Sequence, residues 1–329
     1  MMKASGCRIL ATGRALPEKV MTNADLEKLV DTSDSWIVER TGIRERHVAE
    51  AGRPVSELAA EAAQKALSMA GVGAEEVDLI ILGTVTGDMK FPAAACIVQE
   101  KIGAKNAVAF DLSAACSGFL YGLQVAAAMM QSNNYQQVLV IGAEVLTSMV
   151  NWKDRDTCVL FGDGAGAVLL GSSEKNSGLL HTLLRADGQH TKLLHNPGGG
   201  SLHPQNLEPV PPEFATIRME GREVFRHAVA AMTSLLKQLL KEVDVSPEEI
   251  DLLIPHQANL RIIDAVGKRS GIAKEKVYVN VDRFGNTSSA SIPIALDEGL
   301  RSGQIKAGDL VAMVTFGAGL TWAAAIHQF

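Results

Sequence analysis

The segment Glu75-Glu76-Val77-Asp78-Leu79-Ile80-Ile81 recurs late in the chain as Glu248-Glu249-Ile250-Asp251-Leu252-Leu253-Ile254. Two further pairs of segments follow in the same order. In the first pair, residues 102–105 and the apolar run 107–112 match residues 271–274 and the run 277–282. In the second pair, residues 139–143 match residues 314–318. All three pairs are separated by about 170 residues, which indicates that the chain contains a duplicated structural unit.

Short apolar runs alternate with helical patterns along both copies, which predicts an α/β fold. Ser56 opens an alanine-rich helix that runs to about Ala70, and residues 246–249 match a capping box with proline at the first helical position. We predict two halves, residues 1–173 and 174–329, divided in the turn-rich stretch after Gly171. The runs interpreted as buried parallel strands are residues 77–85, 107–112, 138–143, 252–254, 277–281 and 310–316.

Composition excludes several classes of protein. The 329 residues carry a net charge of −6, so the whole chain offers no reason to expect nucleic-acid binding. The four cysteines lack the spacing of a zinc site or a disulfide framework, which favours a reducing, cytoplasmic location. The N-terminus does not match a signal peptide, and no apolar run is long enough to predict a membrane-spanning helix.

The glycine-rich runs do not match phosphate-binding or hydrolase motifs. Residues 162–167 depart from G-x-G-x-x-G and are interpreted as a turn between strands. Neither a P-loop nor a G-x-S-x-G elbow occurs in the chain. Residues 197–200 and the proline-rich residues 204–212 are predicted to form a long surface loop.

Cys116 lies among small residues, directly after the apolar run 107–112 and before a helical pattern over residues 121–130. This places its thiol at a strand-to-helix turn, where a helix N-terminus lowers a thiol pKa and free backbone N–H groups can bind an oxyanion. The alternative is a small buried core cysteine. We keep that interpretation for Cys7, Cys96 and Cys158.

Two polar side chains occupy comparable positions in the second copy. His256 follows the apolar run 252–254, and Asn286 follows the run 277–282. Taken singly, the histidine could be structural and the asparagine a turn residue. In open α/β sheets, however, ligands bind beyond the carboxyl ends of strands, so we expect both side chains to converge with Cys116. The late turn 317–319 could bring a backbone N–H close to a reacting carbonyl.

Basic residues cluster in two places. Arg40, Arg44 and Arg46 follow Trp36, a combination of aromatic ring and guanidinium groups that suits a nucleotide. The second cluster comes from two predicted helices and indicates an acidic docking partner, although most such runs are solvated helix faces. Its members are Arg222, Arg226, Arg261, Lys268 and Arg269.

From about residue 9 to 329 the chain resembles the β-ketoacyl-acyl-carrier-protein synthase III family, which has the thiolase-like fold. A somewhat longer loop at residues 198–212 departs from the family pattern. The resemblance rests on residues 31–37, residues 40–43, the Cys116 segment 111–119, residues 161–166, Pro255-His256-Gln257-Ala258-Asn259 and Gly285-Asn286-Thr287-Ser288.

The resemblance implies a thiolase-like, internally duplicated αβαβα architecture and a homodimer. It implies Cys116, His256 and Asn286 as the catalytic set and the backbone N–H groups of Cys116 and Ala318 as the oxyanion hole. Ala318 stands where the family commonly has glycine, a change that retains the N–H. The resemblance and the basic clusters together assign the remaining sites. These are coenzyme A at Thr32, Trp36, Arg40 and Arg155, the partner subunit's acyl pocket at Phe91, and carrier-protein docking at Arg226, Arg261, Lys268 and Arg269.

The reaction implied is a decarboxylative condensation of an acyl-CoA primer, with acetyl-CoA expected, and malonyl-acyl-carrier protein. It starts fatty-acid synthesis and is expected to need no metal or organic cofactor. One alternative is a related condensing enzyme that uses another primer in secondary metabolism. Another is a silent partner subunit, although such subunits usually lack the nucleophilic cysteine. Hydroxymethylglutaryl-CoA synthase uses a carboxylate acid/base, and the Asn286 motif argues against it.

Overall fold

A computed structural model describes residues 6–132, 135–173, 177–204 and 211–329 of the chain. In chain order its strands are β1 (Cys7–Ala15), β2 (Val20–Thr22), β3 (Glu45–His47), β4 (Leu79–Gly83), β5 (Val108–Leu112), β6 (Val138–Glu144), β7 (Gly164–Ser172), β8 (Gly178–Ala186), β9 (Leu194–His195), β10 (Arg218–Met219), β11 (Leu252–Pro255), β12 (Leu310–Gly317) and β13 (Thr321–Gln328).

The α-helices vary from single turns to one long amphipathic helix, α7. In chain order they are α1 (Asn23–Leu26), α2 (Asp34–Thr41), α3 (Val55–Ala70), α4 (Ala94–Ile102), α5 (Gly118–Gln131), α6 (Arg155–Cys158), α7 (Gly221–Val243), α8 (Leu260–Ser270), α9 (Val281–Phe284) and α10 (Ser291–Arg301).

Two mixed sheets form the centre of the fold. The first has the order β1-β7-β6-β4-β5, in which β6, β4 and β5 are parallel and the other pairs antiparallel. The second has the order β11-β12-β13-β8, with β11 and β12 parallel. Strands β4 and β6 are buried along their whole length, as expected for apolar strands covered on both faces.

The helices cover these sheets in layers. The buried residues of α5 and α10 share one hydrophobic cluster with the facing sides of both sheets. Helix α5 carries no charged residue, which is typical of a helix buried all round. Helices α3 and α4 pack on the outer face of the first sheet, and α7 and α8 on that of the second. This order confirms the expected αβαβα architecture.

The strands of the two sheets correspond in sequence order. In the first sheet β4 pairs with β6, and β6 pairs in turn with β7. In the second sheet β11 pairs with β12 and β12 with β13, so β4 and β6 correspond to β11 and β12, as the recurring segments predicted. The equivalent of β5 is the exception, because residues 277–281 do not form the predicted strand. Only Val277 forms a bridge, to Leu253, and Val281 already begins α9.

Three other expectations concern the middle of the chain. The predicted turn 162–167 is wrong beyond Asp163, because β7 begins at Gly164 and passes through the core. The predicted boundary between residues 173 and 174 adjoins residues outside the described ranges and stays a prediction. The predicted loop at 204–212 lies largely outside them, at residues 205–210. Among the described residues, no helix is long and apolar enough to cross a membrane.

Candidate active site

Cys116, His256 and Asn286 line one cavity of about 550 Å³. Each side chain arrives from a different element. Cys116 lies on the 3₁₀ turn before α5, His256 on the turn after β11, and Asn286 between α9 and α10. The expected convergence of His256 and Asn286 with Cys116 is therefore confirmed, although the segment before Asn286 is a helix rather than a strand.

The turn that carries Cys116 is held by the end of β12. Thr315 donates from Oγ1 to the carbonyl oxygen of Cys116 at 2.8 Å. A Cβ atom on Gly317 would lie 2.7 Å from the Cys116 nitrogen, so only glycine permits this approach. Thr321 donates from its hydroxyl to the carbonyl oxygens of Ala114 and Ala318, at 2.9 and 3.0 Å. These contacts place the turn 317–319 against the nucleophile candidate.

The electrostatic environment of Cys116 differs from the sequence-based expectation. The pKa of its thiol is raised to about 12, mainly by burial and to a smaller extent by the neighbouring Glu144 carboxylate. A hydrogen bond from Ser288 lowers the pKa, but by less. The direction of this shift is opposite to the lowering expected at a helix N-terminus, because burial removes the thiolate from water.

His256 is buried, and burial lowers its pKa to about 3, so the imidazole is neutral near pH 7. Its Nδ1 lies 2.7 Å from Ser291 Oγ. Ser291 Oγ also accepts a long hydrogen bond, 3.4 Å, from the backbone N–H of Gln257. The ring is therefore anchored by Ser291, at the first residue of α10.

Asn286 is oriented by its own turn. Its Oδ1 accepts from the backbone N–H of Ser288 at 2.9 Å, which directs the Nδ2 group toward the cavity. Its backbone bonds to Leu160 and Gly162 tie it to the first half of the chain. Ser288 adopts a positive φ of 50°, an uncommon conformation for a residue with a side chain.

Sequence analysis missed the group behind these residues. The carboxyl of Glu144, at the end of β6, is fully buried, and burial raises its pKa to about 7. An acidic residue ending an otherwise apolar strand was the available signal. Five groups hydrogen-bond to it: Thr84, Val85, Thr86, Ser288 and Ser289.

Three residues of the expected nucleotide site, Trp36, Arg40 and Arg155, form one cluster, and Trp36 and Arg40 line the cavity. The guanidinium carbons of Arg40 and Arg155 lie 4.5 and 4.9 Å from the centre of the Trp36 ring. Arg155 also donates to the carbonyl oxygen of Asp31 at 3.0 Å. The hydroxyl of Thr32 is buried without a hydrogen-bond partner among the described residues. The Trp36 ring and the two guanidinium groups therefore lie together, whereas the Thr32 hydroxyl is enclosed.

Arg46 does not belong to that cluster. Its side chain is fully buried and donates to the carbonyl oxygens of Met21 and Val159 and to Asn23 Oδ1. The sequence-based grouping of Arg46 with Trp36 is therefore wrong, because this guanidinium is used within the core.

Only part of the second basic cluster lines the cavity. Arg222 and Arg261 line the cavity at the starts of α7 and α8, while Lys268 and Arg269 occupy the last turn of α8 and do not line it. Arg226 is exposed and paired with Glu223 at 2.6 Å.

Phe91 lies on an exposed segment and is absent from the lining of this cavity. Its side chain is 84% exposed, and Met89 beside it is also exposed. Within one subunit most of the ring is therefore exposed to solvent.

Comparison with known proteins identifies two matching family models and a close relative. Residues 110–188 match the model of 3-oxoacyl-[acyl-carrier-protein] synthase III, and residues 240–329 match that of its C-terminal region. A β-ketoacyl-[acyl-carrier-protein] synthase III from Caldanaerobacter subterraneus subsp. tengcongensis is 54% identical, over 98% of this chain and 97% of the relative.

Two solved structures also resemble the chain along nearly its whole length. The 3-oxoacyl-[acyl-carrier-protein] synthase III of Aquifex aeolicus has a TM-score of 0.91 and 48% identity, covering 98% of this chain and all of that one. The priming β-ketosynthase of the R1128 polyketide pathway has a TM-score of 0.92 and 34% identity, covering 99% and 97%. Since the match extends along nearly the whole chain at such identity, the chain belongs to the β-ketoacyl-[acyl-carrier-protein] synthase III family.

Proposed function

We propose that this enzyme condenses an acyl-CoA primer, expected to be acetyl-CoA, with malonyl-acyl-carrier protein, and that Cys116 carries the acyl group between the two steps. The observation that carries the proposal is the meeting of one thiol and two neutral hydrogen-bond donors, from His256 and Asn286, in a single cavity. A nucleophile beside neutral donors suits acyl transfer through an oxyanion.

In the first step the sulfur of Cys116 attacks the carbonyl carbon of the primer thioester. The tetrahedral oxyanion is stabilised by the backbone N–H groups of Cys116 and Ala318, an assignment supported by the close approach of Gly317 to the Cys116 nitrogen. Coenzyme A then leaves, and the acyl group stays on Cys116 as a thioester. Losing one oxyanion donor typically costs roughly 3 kcal/mol of transition-state stabilisation.

In the second step the malonyl thioester oxygen accepts hydrogen bonds from His256 Nε2 and Asn286 Nδ2. The bond to the carboxylate breaks, carbon dioxide departs, and the electron pair forms an enolate held by these donors. The enolate carbon attacks the acyl group on Cys116, and the cysteine sulfur leaves. Because burial keeps His256 neutral, it can act as a donor without a permanent charge. We propose that these side chains suffice without a metal or organic cofactor.

We propose that coenzyme A and the acyl-carrier protein bind at two different groups of residues around the cavity. Trp36, Arg40 and Arg155 offer stacking and positive charge to the adenine nucleotide of coenzyme A, and Thr32 is proposed to belong to the same site. The exposed cations on α7 and α8 offer charge to an acidic carrier protein. They are Arg226, Arg261, Lys268 and Arg269.

The exposed Phe91 supports a homodimer in which its ring enters the acyl pocket of the partner subunit. Met89 and Phe91 are both large apolar side chains exposed on the same segment, and exposed apolar patches mark interaction sites. We propose that this dimer acts in the cytoplasm, as the cysteine pattern indicates.

Intact-protein mass spectrometry tests the first step directly. Mixing the enzyme with acetyl-CoA should add one acetyl group, and Cys116→Ala should carry none. A panel of longer and branched acyl-CoA primers, followed by malonyl-acyl-carrier protein, distinguishes a fatty-acid initiator from a condensing enzyme with another primer. Absence of any adduct across the panel would contradict the proposal and favour a silent partner subunit.

A further inference from the structure

Arg46, on β3, is fully buried, and none of the carboxylates among the described residues forms an ion pair with it. Burial lowers the pKa of its guanidinium to about 10, so the group stays charged near pH 7. Its Nε is buried without a hydrogen-bond partner. Since burying a charge without a counter-ion costs free energy, the fold must gain from the hydrogen bonds that its other two nitrogens make.

One of these hydrogen bonds leads to α6. Nη2 of Arg46 donates to the carbonyl oxygen of Val159 at 2.8 Å. Val159 directly follows α6, the single helical turn that begins with Arg155, and it lines the cavity. The bond therefore fixes the end of the turn from which the Arg155 guanidinium reaches the Trp36 ring.

The other nitrogen leads to α2. Nη1 of Arg46 donates to Oδ1 of Asn23 at 2.9 Å and to the carbonyl oxygen of Met21 at 3.2 Å. The amide nitrogen of Asn23 then donates to Oδ1 of Asp34 and to the carbonyl oxygen of Ile43, both at 2.8 Å. Asp34 is the first residue of α2, and Ile43 lies two residues beyond its end. Asn23 therefore holds α2 at both ends.

The aliphatic stem of Arg46 is fixed separately, between two glycines. A Cβ atom on Gly162 or Gly285 would lie 3.1 or 3.2 Å from the Cβ of Arg46. These glycines adjoin the backbone bridge between Phe161 and Asn286. An unbranched apolar side chain of similar length can therefore keep the packing of the stem while it removes the hydrogen bonds of the guanidinium.

A second link between α6 and the segment before α2 lies at the surface. Arg155 donates from Nη1 to the carbonyl oxygen of Asp31 at 3.0 Å, and the Asp31 carboxylate is 3.7 Å away. Both side chains are exposed, and exposed ion pairs contribute little to stability. A ligand phosphate would also compete for this guanidinium. The buried contacts of Arg46 are not open to such competition.

We propose that Arg46 is a positioning residue that holds α2 and α6 at the spacing at which coenzyme A binds. The buried guanidinium does not touch the ligand. It acts through Asn23 and the Val159 carbonyl, which fix the helices that carry Trp36 and Arg155. Walls that are held in place before the ligand arrives lower the ordering cost of binding. The inference rests on the proposed function, because the coenzyme A site is part of that proposal.

The experiment compares acylation of Cys116 by two primers over a range of concentrations, measured by rapid quench and intact-protein mass spectrometry. One primer is acetyl-CoA, and the other is the acetyl thioester of N-acetylcysteamine, which lacks the nucleotide. The wild type should be acylated by both and should reach half-maximal rate at a lower concentration of acetyl-CoA. A wild type without any adduct would contradict the proposed function itself, whereas the variants test the role of Arg46.

Arg46→Met should raise the acetyl-CoA concentration that gives half-maximal acylation by about tenfold, because α2 and α6 lose their common anchor. The maximal rate with acetyl-CoA and the whole curve with the N-acetylcysteamine thioester should stay close to those of the wild type. An unchanged half-maximal concentration in the folded variant would overturn the proposal. Equal losses with both primers would also overturn it, since they would indicate a general disturbance of the active site.

Asn23→Ala provides the test if Arg46→Met does not fold. It releases α2 but leaves the bond from Arg46 to Val159, and it should weaken acetyl-CoA selectively in the same way. Asp297→Asn is the matched control. It neutralises a fully buried charge on α10 whose partners are Thr12 and Arg301, away from α2 and α6. The control should not shift the acetyl-CoA curve even if its melting temperature falls. A shift as large as that of Asn23→Ala would contradict the assigned role.

Discussion

Ser291 Oγ lies 2.7 Å from Nδ1 of His256, and the same oxygen accepts from the backbone N–H of Gln257. Since that N–H occupies one lone pair, the hydroxyl proton of Ser291 is free to point at Nδ1. When Ser291 donates to Nδ1, the imidazole proton is on Nε2, where the proposed enolate needs a donor. The residue at the start of α10 therefore anchors the ring that follows β11 and offers it the partner that this tautomer requires.

Replacing Ser291 by alanine should impair the second step. Without a partner at Nδ1, the buried ring loses both its orientation and its tautomer, and decarboxylation of the malonyl thioester should slow roughly 10- to 100-fold. Acylation of Cys116 should change little, because it does not use His256 in the proposed mechanism. Ser291→Thr retains the hydroxyl and should restore most of the rate. Comparable losses in both variants would argue against tautomer control.

Asn286→Ala, like Ser291→Ala, should slow decarboxylation and leave acylation of Cys116 largely unchanged. It removes one of two donors to the enolate, so decarboxylation should fall by about 100- to 1,000-fold. The acyl adduct on Cys116 should still form when the variant is mixed with acetyl-CoA and weighed by mass spectrometry. If the variant decarboxylated normally but failed to acylate, the role assigned to Asn286 would be wrong.

The three proposed catalytic side chains could be identified before the structure because each interrupts an apolar pattern. Cys116 follows β5, which is only partly buried, and His256 follows the buried strand β11; each strand leads directly to a polar turn. Ser291 carries no comparable signal, and the position of Glu144 at the end of an apolar strand does not reveal its contacts. Glu144 is contacted because the end of β6 packs against the turn before α10, a long-range approach that no local pattern encodes. Gly142 permits it, since a Cβ there would lie 2.2 Å from the Ser289 carbonyl oxygen.

The fold was predictable where the recurring segments fell on buried parallel strands, and less so elsewhere. The antiparallel strands β7 and β13 are rich in glycine and alanine, which weakens the strand pattern. Residues 277–281 are apolar enough for a strand. However, Gln257 Oε1 accepts from the backbone N–H groups of Asn280 and Val281. These bonds occupy the groups that a strand would use and turn the chain into α9.

Gly317→Ala should disturb the Cys116 turn. The added methyl would meet the Cys116 nitrogen at 2.7 Å and its Cβ at 3.2 Å, so either β12 or the turn must shift. We expect a loss of roughly 1–3 kcal/mol in the free energy of unfolding. Acylation should slow as well. Gly188→Ala is the matched control, because a Cβ there meets nothing within 4 Å. Denaturant unfolding and acylation rates of both variants measure the effect; equal behaviour would contradict the tight fit.

Trp36→Ala should weaken primer binding without affecting the chemistry. The ring is contacted by the guanidinium groups of Arg40 and Arg155, and losing it removes the proposed stacking surface for adenine. KM for acetyl-CoA should rise by about tenfold, while kcat at saturation stays near the wild-type value. N-acetylcysteamine thioesters lack the nucleotide and should acylate both proteins alike. A fall in kcat with unchanged KM would place Trp36 outside the coenzyme A site.

Acid stability should depend on His327, which lies on β13 far from the cavity. Burial lowers its pKa from 6.5 to about 3, and its Nε2 accepts from the backbone N–H of Ile9. The unfolded chain therefore binds a proton more readily than the folded one between these values. Stability that His327 contributes above about pH 6.5 is accordingly lost as pH falls toward 3. His327→Gln keeps an acceptor for Ile9 but cannot be protonated. Its melting temperature should consequently decline less than that of the wild type between neutral pH and pH 5, whatever its value at pH 7. Parallel curves for the two proteins would mean that His327 does not determine the acid limit.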